Sequence, residues 1–173
     1  PYLGGGIYAA YSTLRLDGCR IDNNGIIPTP AEGHIYKGAG VYAYSSTLSI
    51  TNCVIASNTM GNSIGRSITY YGAGCMIEDC EPVEIVDTDF IGNDSKGRGY
   101  SGIGVTLYGG GLYSDVPLTL RNCTIISNDL SASRCTLAGP GVYAGSTLTV
   151  NNSEFRNNRA IGENNGGTGG GAN

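Results

Sequence analysis

The chain has 173 residues, 29 of them glycine, with no tryptophan, 14% charged residues and a net charge of −4. Any core must therefore be built from Ile, Val, Leu and small side chains, and the singly scattered Lys and Arg exclude the concentrated basic surface that nucleic acid binding needs. No apolar run approaches the ~20 residues that span a bilayer, so no transmembrane segment is predicted in this chain.

Taken from the N-terminus, the first recurring unit opens with Gly-x-Gly and an apolar residue at Gly4 and continues into TLRLDGCRIDNN at 13–24. A second unit opens at Gly38 and continues into TLSITNCVIASN at 47–58. A third opens at Gly72 and runs into VEIVDTDFIGN at 83–93. A fourth opens at Gly109, with LTLRNCTIISN at 118–128, and a fifth at Gly139, with LTVNNSEFRNN at 148–158. A sixth start lies at Gly169, and successive starts are 34, 34, 37, 30 and 30 residues apart. Segments 25–37, 59–71, 94–108, 129–138 and 159–168 absorb these differences in period. Their last residues alternate again, as in Ser67-Ile68-Thr69-Tyr70, and predict one more strand; the remainder predicts a loop projecting from one corner.

Aligned on the final Asn, the copies form columns. Leu16, Ile50, Ile85, Leu120 and Val150 make one apolar column, and Ile21, Ile55, Phe90, Ile125 and Phe155 a second. Between them lies a small column of Cys19, Cys53, Thr88, Cys123 and Ser153, and the last column is Asn24, Asn58, Asn93, Asn128 and Asn158. Period-two alternation such as Leu14-Arg15-Leu16 points each strand's apolar set to one face, yet strands this short cannot bury a face alone. Stacking like on like solves the problem, with coils about 4.8 Å apart. An in-register Asn column can then bond through its amides to the coils above and below. The expected fold is all-β, a right-handed parallel β-helix of about five coils with an internal Asn ladder, forming a single segment over 1–173.

These motifs resemble the polymorphic outer membrane protein repeats of the chlamydial type, defined by GG-[apolar]-[apolar/Tyr] and F-x-x-N. The first motif is matched by Gly5-Gly6-Ile7-Tyr8 and Gly110-Gly111-Leu112-Tyr113, and with one Gly replaced by Ala39-Gly40-Val41-Tyr42 and Pro140-Gly141-Val142-Tyr143. Phe90-Ile91-Gly92-Asn93 and Phe155-Arg156-Asn157-Asn158 match the second, while Ile replaces Phe at Ile21, Ile55 and Ile125. The resemblance implies a β-helical passenger or stalk on a cell surface, acting as an adhesin or as structural material. No membrane barrel domain is recognisable in this chain.

Chemistry is harder to find. β-Helices also carry enzymes that act on polysaccharides, so activity has to be argued from a site. Asp87, Asp89 and Glu84 are the nearest approach to clustered carboxylates, but Asp87 takes a turn position and the other two are expected to point outward alone. His34 is the only histidine and is expected to be a solvated loop residue, so neither a triad nor a metal centre has partners. No catalytic residue, metal or cofactor is predicted. Cys75 falls in the inward apolar position of Ile7, Val41, Leu112 and Val142; Cys80 and Cys135, placed in a turn insertion and a loop, are the candidate disulfide. Tyr8, Tyr42, Tyr113 and Tyr143, with Met76 in the fifth place, form an outward column and are expected to make an exposed aromatic stripe. Ladder packing, contact with another protein and sugar stacking all remain open for it. Neither Pro1-Tyr2-Leu3 nor Gly169-Gly170-Gly171 looks like a cap, which predicts either further coils of a longer protein or end-on stacking between copies. The function expected is a non-enzymatic extracellular structural or adhesive segment, able to form filaments, with a polysaccharide-binding or polysaccharide-degrading β-helix as the alternative. The partners expected are the protein itself and surface glycans.

Overall fold

In the computed structural model, which describes residues 2–27, 34–65, 68–99 and 104–163, the chain winds as a stack of coils, each laying down five short strands. The described residues form five parallel sheets of five strands, each pairing like with like along the stack. Coil two shows the pattern: Ile35–Lys37, Val41–Tyr44, Thr47–Thr51, Val54–Ala56 and Thr59–Gly65 belong to sheets one to five in that order. The sequence columns are the register. Ile50 pairs with Leu16 and Ile85, and Phe90 with Ile55 and Ile125.

Short strands stay short because the corners between sheets one and two, three and four, and four and five each turn, in every coil, on one residue in the left-handed region. Between sheets three and four that residue is Asn52, Asp87, Asn122 or Asn152, with φ between 47° and 54°. Asn and Asp tolerate this conformation best among residues carrying a Cβ, which is why the corner column reads Asn or Asp in four coils. Immediately after it, Cys53, Thr88 and Cys123 turn inward and bond to the carbonyl two residues earlier. Side chains of this column also accept from the backbone of the preceding coil: Cys19 N–H donates to Cys53 Sγ, Cys53 N–H to Thr88 Oγ1 and Cys123 N–H to Ser153 Oγ. A small polar atom is what the position needs, and Cys, Thr and Ser all supply it.

The Asn ladder runs through all five coils. Asn58 Nδ2 donates forward to Asn93 Oδ1 at 3.0 Å and backward to Ile21 O at 3.0 Å, while its Oδ1 accepts Asn24 N–H and Nδ2–H at 3.1 and 3.0 Å. Asn93 and Asn128 repeat the same set, with Ile55 O and Phe90 O as the backward acceptors. The three-residue spacing between the apolar residue and Asn follows from this bond, because it places that carbonyl one coil below the next amide. Asn58, Asn93 and Asn128 are fully buried and fully paired, which is the condition for a buried amide to stabilise.

A second constraint locks the ladder to the glycine motif. The last Gly of each Gly-x-Gly packs on the Asn amide, so that a methyl built on Gly74 would lie 2.3 Å from Gly111 O and 2.9 Å from Asn93 Cγ. This contact crosses the coil and pinches its cross-section into two apolar lobes. Ile50, Ile55, Ile85, Phe90, Leu120 and Ile125 fill the larger lobe inside sheets two, three and four. Tyr36, Met60, Ile68, Tyr70, Leu107 and Leu130 fill the smaller one inside sheets five and one. Each fully buried side chain of this size contributes roughly 1.5–3 kcal/mol. Inside the smaller lobe, Tyr2 stacks on Tyr36 and Tyr36 on Tyr70, each with ring centroids 5.1 Å apart.

Two sequence expectations change. The variable segments begin with a strand rather than a loop: Thr59–Gly65, Asp94–Gly99, Asp129–Ser133 and Arg159–Glu163 build sheet five. Cys80 and Cys135 are not bridged, and both are free thiols. Cys80 is buried in the larger lobe and bonds to Ala43 O and Glu78 O, whereas Cys135 lies on Cys135–Ala138 and packs against the smaller lobe. The pinch separates them. The sixth start at Gly169 lies outside the described residues.

Candidate functional site

The outward column of sheet two is not the open stripe that strand parity suggests. Tyr8 is 51% exposed, but Tyr42 and Met76 are 3% and 2% exposed, and Tyr113 and Tyr143 are half-buried. The cover comes from sheet one. Lys37, Tyr71 and Tyr108, the last residues of their sheet-one strands, lean over the corner and cover the column. Tyr71 stacks on Tyr108 at 5.5 Å and meets Tyr113 edge-on at 4.8 Å, while Tyr113 stacks on Tyr143 at 5.2 Å. Lower on the stack, Tyr8 stacks on Tyr42 at 5.3 Å and Tyr11 meets Tyr44 edge-on at 5.3 Å. Most ring faces are thereby taken by other rings. Offset and edge-on aromatic pairs contribute about 0.5–1.5 kcal/mol beyond their buried area, so the belt binds coil to coil from outside as the ladder does from inside.

Between the two tyrosine groups sits a half-buried polar knot. Glu78 accepts from Lys37 Nζ at 2.7 Å through Oε1, and both Lys37 and the Tyr42 hydroxyl donate to its Oε2. Lys37 Nζ also lies 5.5 Å from the Tyr42 ring centroid. Burial, with the hydrogen bond to Glu78, pushes the Tyr42 phenol far above its ordinary range, so it is a neutral donor at any physiological pH. Tyr113, pushed up to about 12 by burial and then by Tyr71, is neutral too.

Carboxylates gather one corner further on. Asp79 N–H donates to Asp115 Oδ1 at 3.0 Å, and Ser45 Oγ to Asp79 Oδ2 at 2.7 Å. Partial shielding of its carboxyl, followed by the like charges of Glu78 and Asp79, raises the Asp115 pKa above 3.8. A raised folded pKa means that the folded chain holds the proton more tightly than the unfolded one. The contribution of this group therefore falls as pH rises through the unfolded value and stays low at neutrality. Asp115→Asn keeps the acceptor for Asp79 N–H and removes the charge. It is expected to raise the thermal midpoint at pH 7 by no more than about 2 °C, because solvent screens the exposed residue, and to leave the midpoint at pH 3 unchanged.

The carboxylates singled out in the sequence are not brought together. Glu84 pairs with Arg121 at 3.2 Å, Asp87 accepts from Asn122 Nδ2 at 2.9 Å, and Asp89 opens the strand Asp89–Ile91. His34 is partly shielded against the rings of Tyr2 and Tyr36. Among the described residues no group of three or more His, Cys, Asp or Glu is arranged to hold a metal ion. The carboxylate corner escaped the sequence reading because Asp115 joins Glu78 and Asp79 from the next coil.

The thiols differ in access. Cys53, Cys75, Cys80 and Cys123 are buried, and Cys19 and Cys135 are partly exposed; burial raises the pKa of the four buried thiols and of Cys135. Brief iodoacetamide treatment of the native chain, read by peptide mass, is expected to modify Cys19 and Cys135 first and to leave Cys75 unmodified until the chain is denatured.

No curated protein and no solved structure matches the chain. A family model described as a right handed beta helix region matches residues 2–172, in agreement with the parallel coils, the one-residue corners and the Asn ladder. The chain belongs to the right-handed β-helix family.

Proposed function

We propose that this chain is a non-enzymatic structural and adhesive β-helix segment displayed on a cell surface, of the kind formed by the polymorphic outer membrane protein repeats. One observation carries the reading. The residues that recur from coil to coil are engaged in holding the coils together, by the Asn ladder and the apolar columns inside and by the sheet-two tyrosines of four coils outside. A solenoid organised in this way presents a surface and a rigid spacer. The same columns also suit end-on growth. Leu148, Val150 and Phe155 of coil five continue the apolar columns buried in coils two to four, the pattern that further coils or a second copy would extend.

The polysaccharide-acting alternative is favoured by the carboxylates near the tyrosine belt, since burial and the neighbouring Glu78 and Asp79 raise the Asp115 pKa. Beads coated with the chain distinguish the two readings. Adhesion to cell monolayers or to one another, without new reducing ends from neutral, acidic or amino polysaccharides, is the expected result. Release of reducing ends overturns it in favour of an enzyme.

A further inference from the structure

We propose that the shallow groove over the corner between sheets two and three, in coils one to three, binds a glycan bearing free amino groups, with Tyr11 as the stacking platform and Asp79 and Glu81 as anionic contacts. The inference rests on the adhesive reading of this surface and names one ligand class for it.

The groove has a volume of about 530 Å³ and is lined by Tyr11, Thr13, Ser45, Thr47, Asp79 and Glu81, among others. Tyr11 is 77% exposed and holds the left-handed corner with φ 52°, where the next two coils place Ser45 and Asp79. A bulky ring gains nothing from that conformation, which costs about 1–2 kcal/mol for a residue with a Cβ. Its edge-on contact with Tyr44 leaves most of the ring open to solvent. An exposed aromatic held where small polar residues otherwise stand is a surface for the apolar C–H face of a sugar. Thr13, Ser45 and Thr47 supply hydroxyls beside it, and the coils advance by about 4.8 Å, close to the length of one pyranose in an extended chain.

Charge selects the kind of sugar. Asp17, Asp22, Glu78, Glu84, Asp94, Asp129 and Glu154 each have a Lys or Arg partner. Neither Asp79 nor Glu81 has a cationic partner among the described residues, and Asp115 adds a further carboxylate beside Asp79. A uronate-bearing chain would be repelled here. An ammonium on a sugar two coils from Tyr11 would meet this uncompensated charge, at an aromatic-rimmed site that also favours cations.

The test is calorimetric titration of the full chain with a glucosamine hexamer, its fully N-acetylated counterpart, an oligogalacturonate and an oligolysine. The glucosamine hexamer is expected to bind, to weaken at least tenfold in Tyr11→Ala and in the Asp79→Asn, Glu81→Gln double variant, and to lose affinity as salt rises. Tyr11→Phe is expected to bind as the unmodified chain does. Tyr11→Ala keeps the left-handed corner and loses only the edge-on contact with Tyr44, so its thermal midpoint should fall by no more than about 8 °C and the chain stays folded at the titration temperature, which separates lost binding from lost folding. Equal or tighter binding of the acetylated or uronate oligomer overturns the proposal. So does hexamer affinity that Tyr11→Ala leaves unchanged, or oligolysine binding as tight as the hexamer, either of which reduces the site to charge alone. Absence of binding while coated beads still adhere sinks the groove and spares the adhesive reading; new reducing ends do the reverse.

Discussion

Replacing Asn93 by Ala is expected to destabilise the chain by about 3–5 kcal/mol, because it leaves several buried groups unpaired at once. Asn58 N–H and Nδ2–H lose their acceptor, and Ile55 O and Asn128 Oδ1 each lose a donor. Water cannot replace these bonds at a fully buried site. Asn158, in coil five, is only partly buried, and Asn158→Ala is expected to cost about 1 kcal/mol. The gradient along the column, read from denaturant midpoints, is the signature of a ladder; equal losses at both positions would indicate only a preference for Asn in turns. Asn93→Asp adds a pH test. Its carboxylate would face Ile55 O and Asn128 Oδ1, both acceptors, so burial should raise its folded pKa above the unfolded value near 3.9. The folded state then binds more protons than the unfolded one, so the variant should be most stable below about pH 4 and lose stability steadily as pH rises.

The second large effect concerns glycine. Gly74→Ala is expected to cost at least about 3 kcal/mol or to abolish folding, since its methyl would meet the Gly111 carbonyl and the Asn93 amide, neither of which can retreat. Gly92 is the control. Its φ is +62°, yet a methyl there would meet nothing within 4 Å, so Gly92→Ala should cost only about 1 kcal/mol of backbone strain. Gly92→Asn should be close to neutral, because Asn23 and Asn157 hold the same corner at φ 56° in coils one and five. Thermal or denaturant unfolding of the three variants checks the order. If Gly74→Ala and Gly92→Ala lose the same amount, the close approach between glycine motif and ladder is wrong.

Much of this was readable before any coordinates, because a parallel stack converts sequence columns directly into spatial neighbours. The apolar columns of Ile50 and Phe90, the small column of Cys53 and the ladder of Asn58 were all visible as repeats. What escaped has physical reasons. Sheet five was hidden because its strands, such as Asp94–Gly99, are rich in Gly and charge and vary in length. The tyrosine column was assigned the correct outward side, but side is not exposure: only the fold places Lys37 over Tyr42, and Tyr71 and Tyr108 against Tyr113 and Tyr143. Cys80 looked like a turn residue because the insertion at Glu81-Pro82 obscures its match with Ser46, which bonds to Tyr44 O as Cys80 does to Glu78 O. The contact between Gly74 and Asn93 joins two motifs that the sequence presents separately.

The central claim, that one continuous amide ladder fastens the coils, is tested most directly by hydrogen exchange of Asn side-chain amides in the unmodified, isotope-labelled chain. The NH₂ groups of Asn58, Asn93 and Asn128 are expected to exchange orders of magnitude more slowly than those of the outward Asn52, Asn122 and Asn151, and to open only with unfolding. Equal exchange rates for the two sets would contradict it.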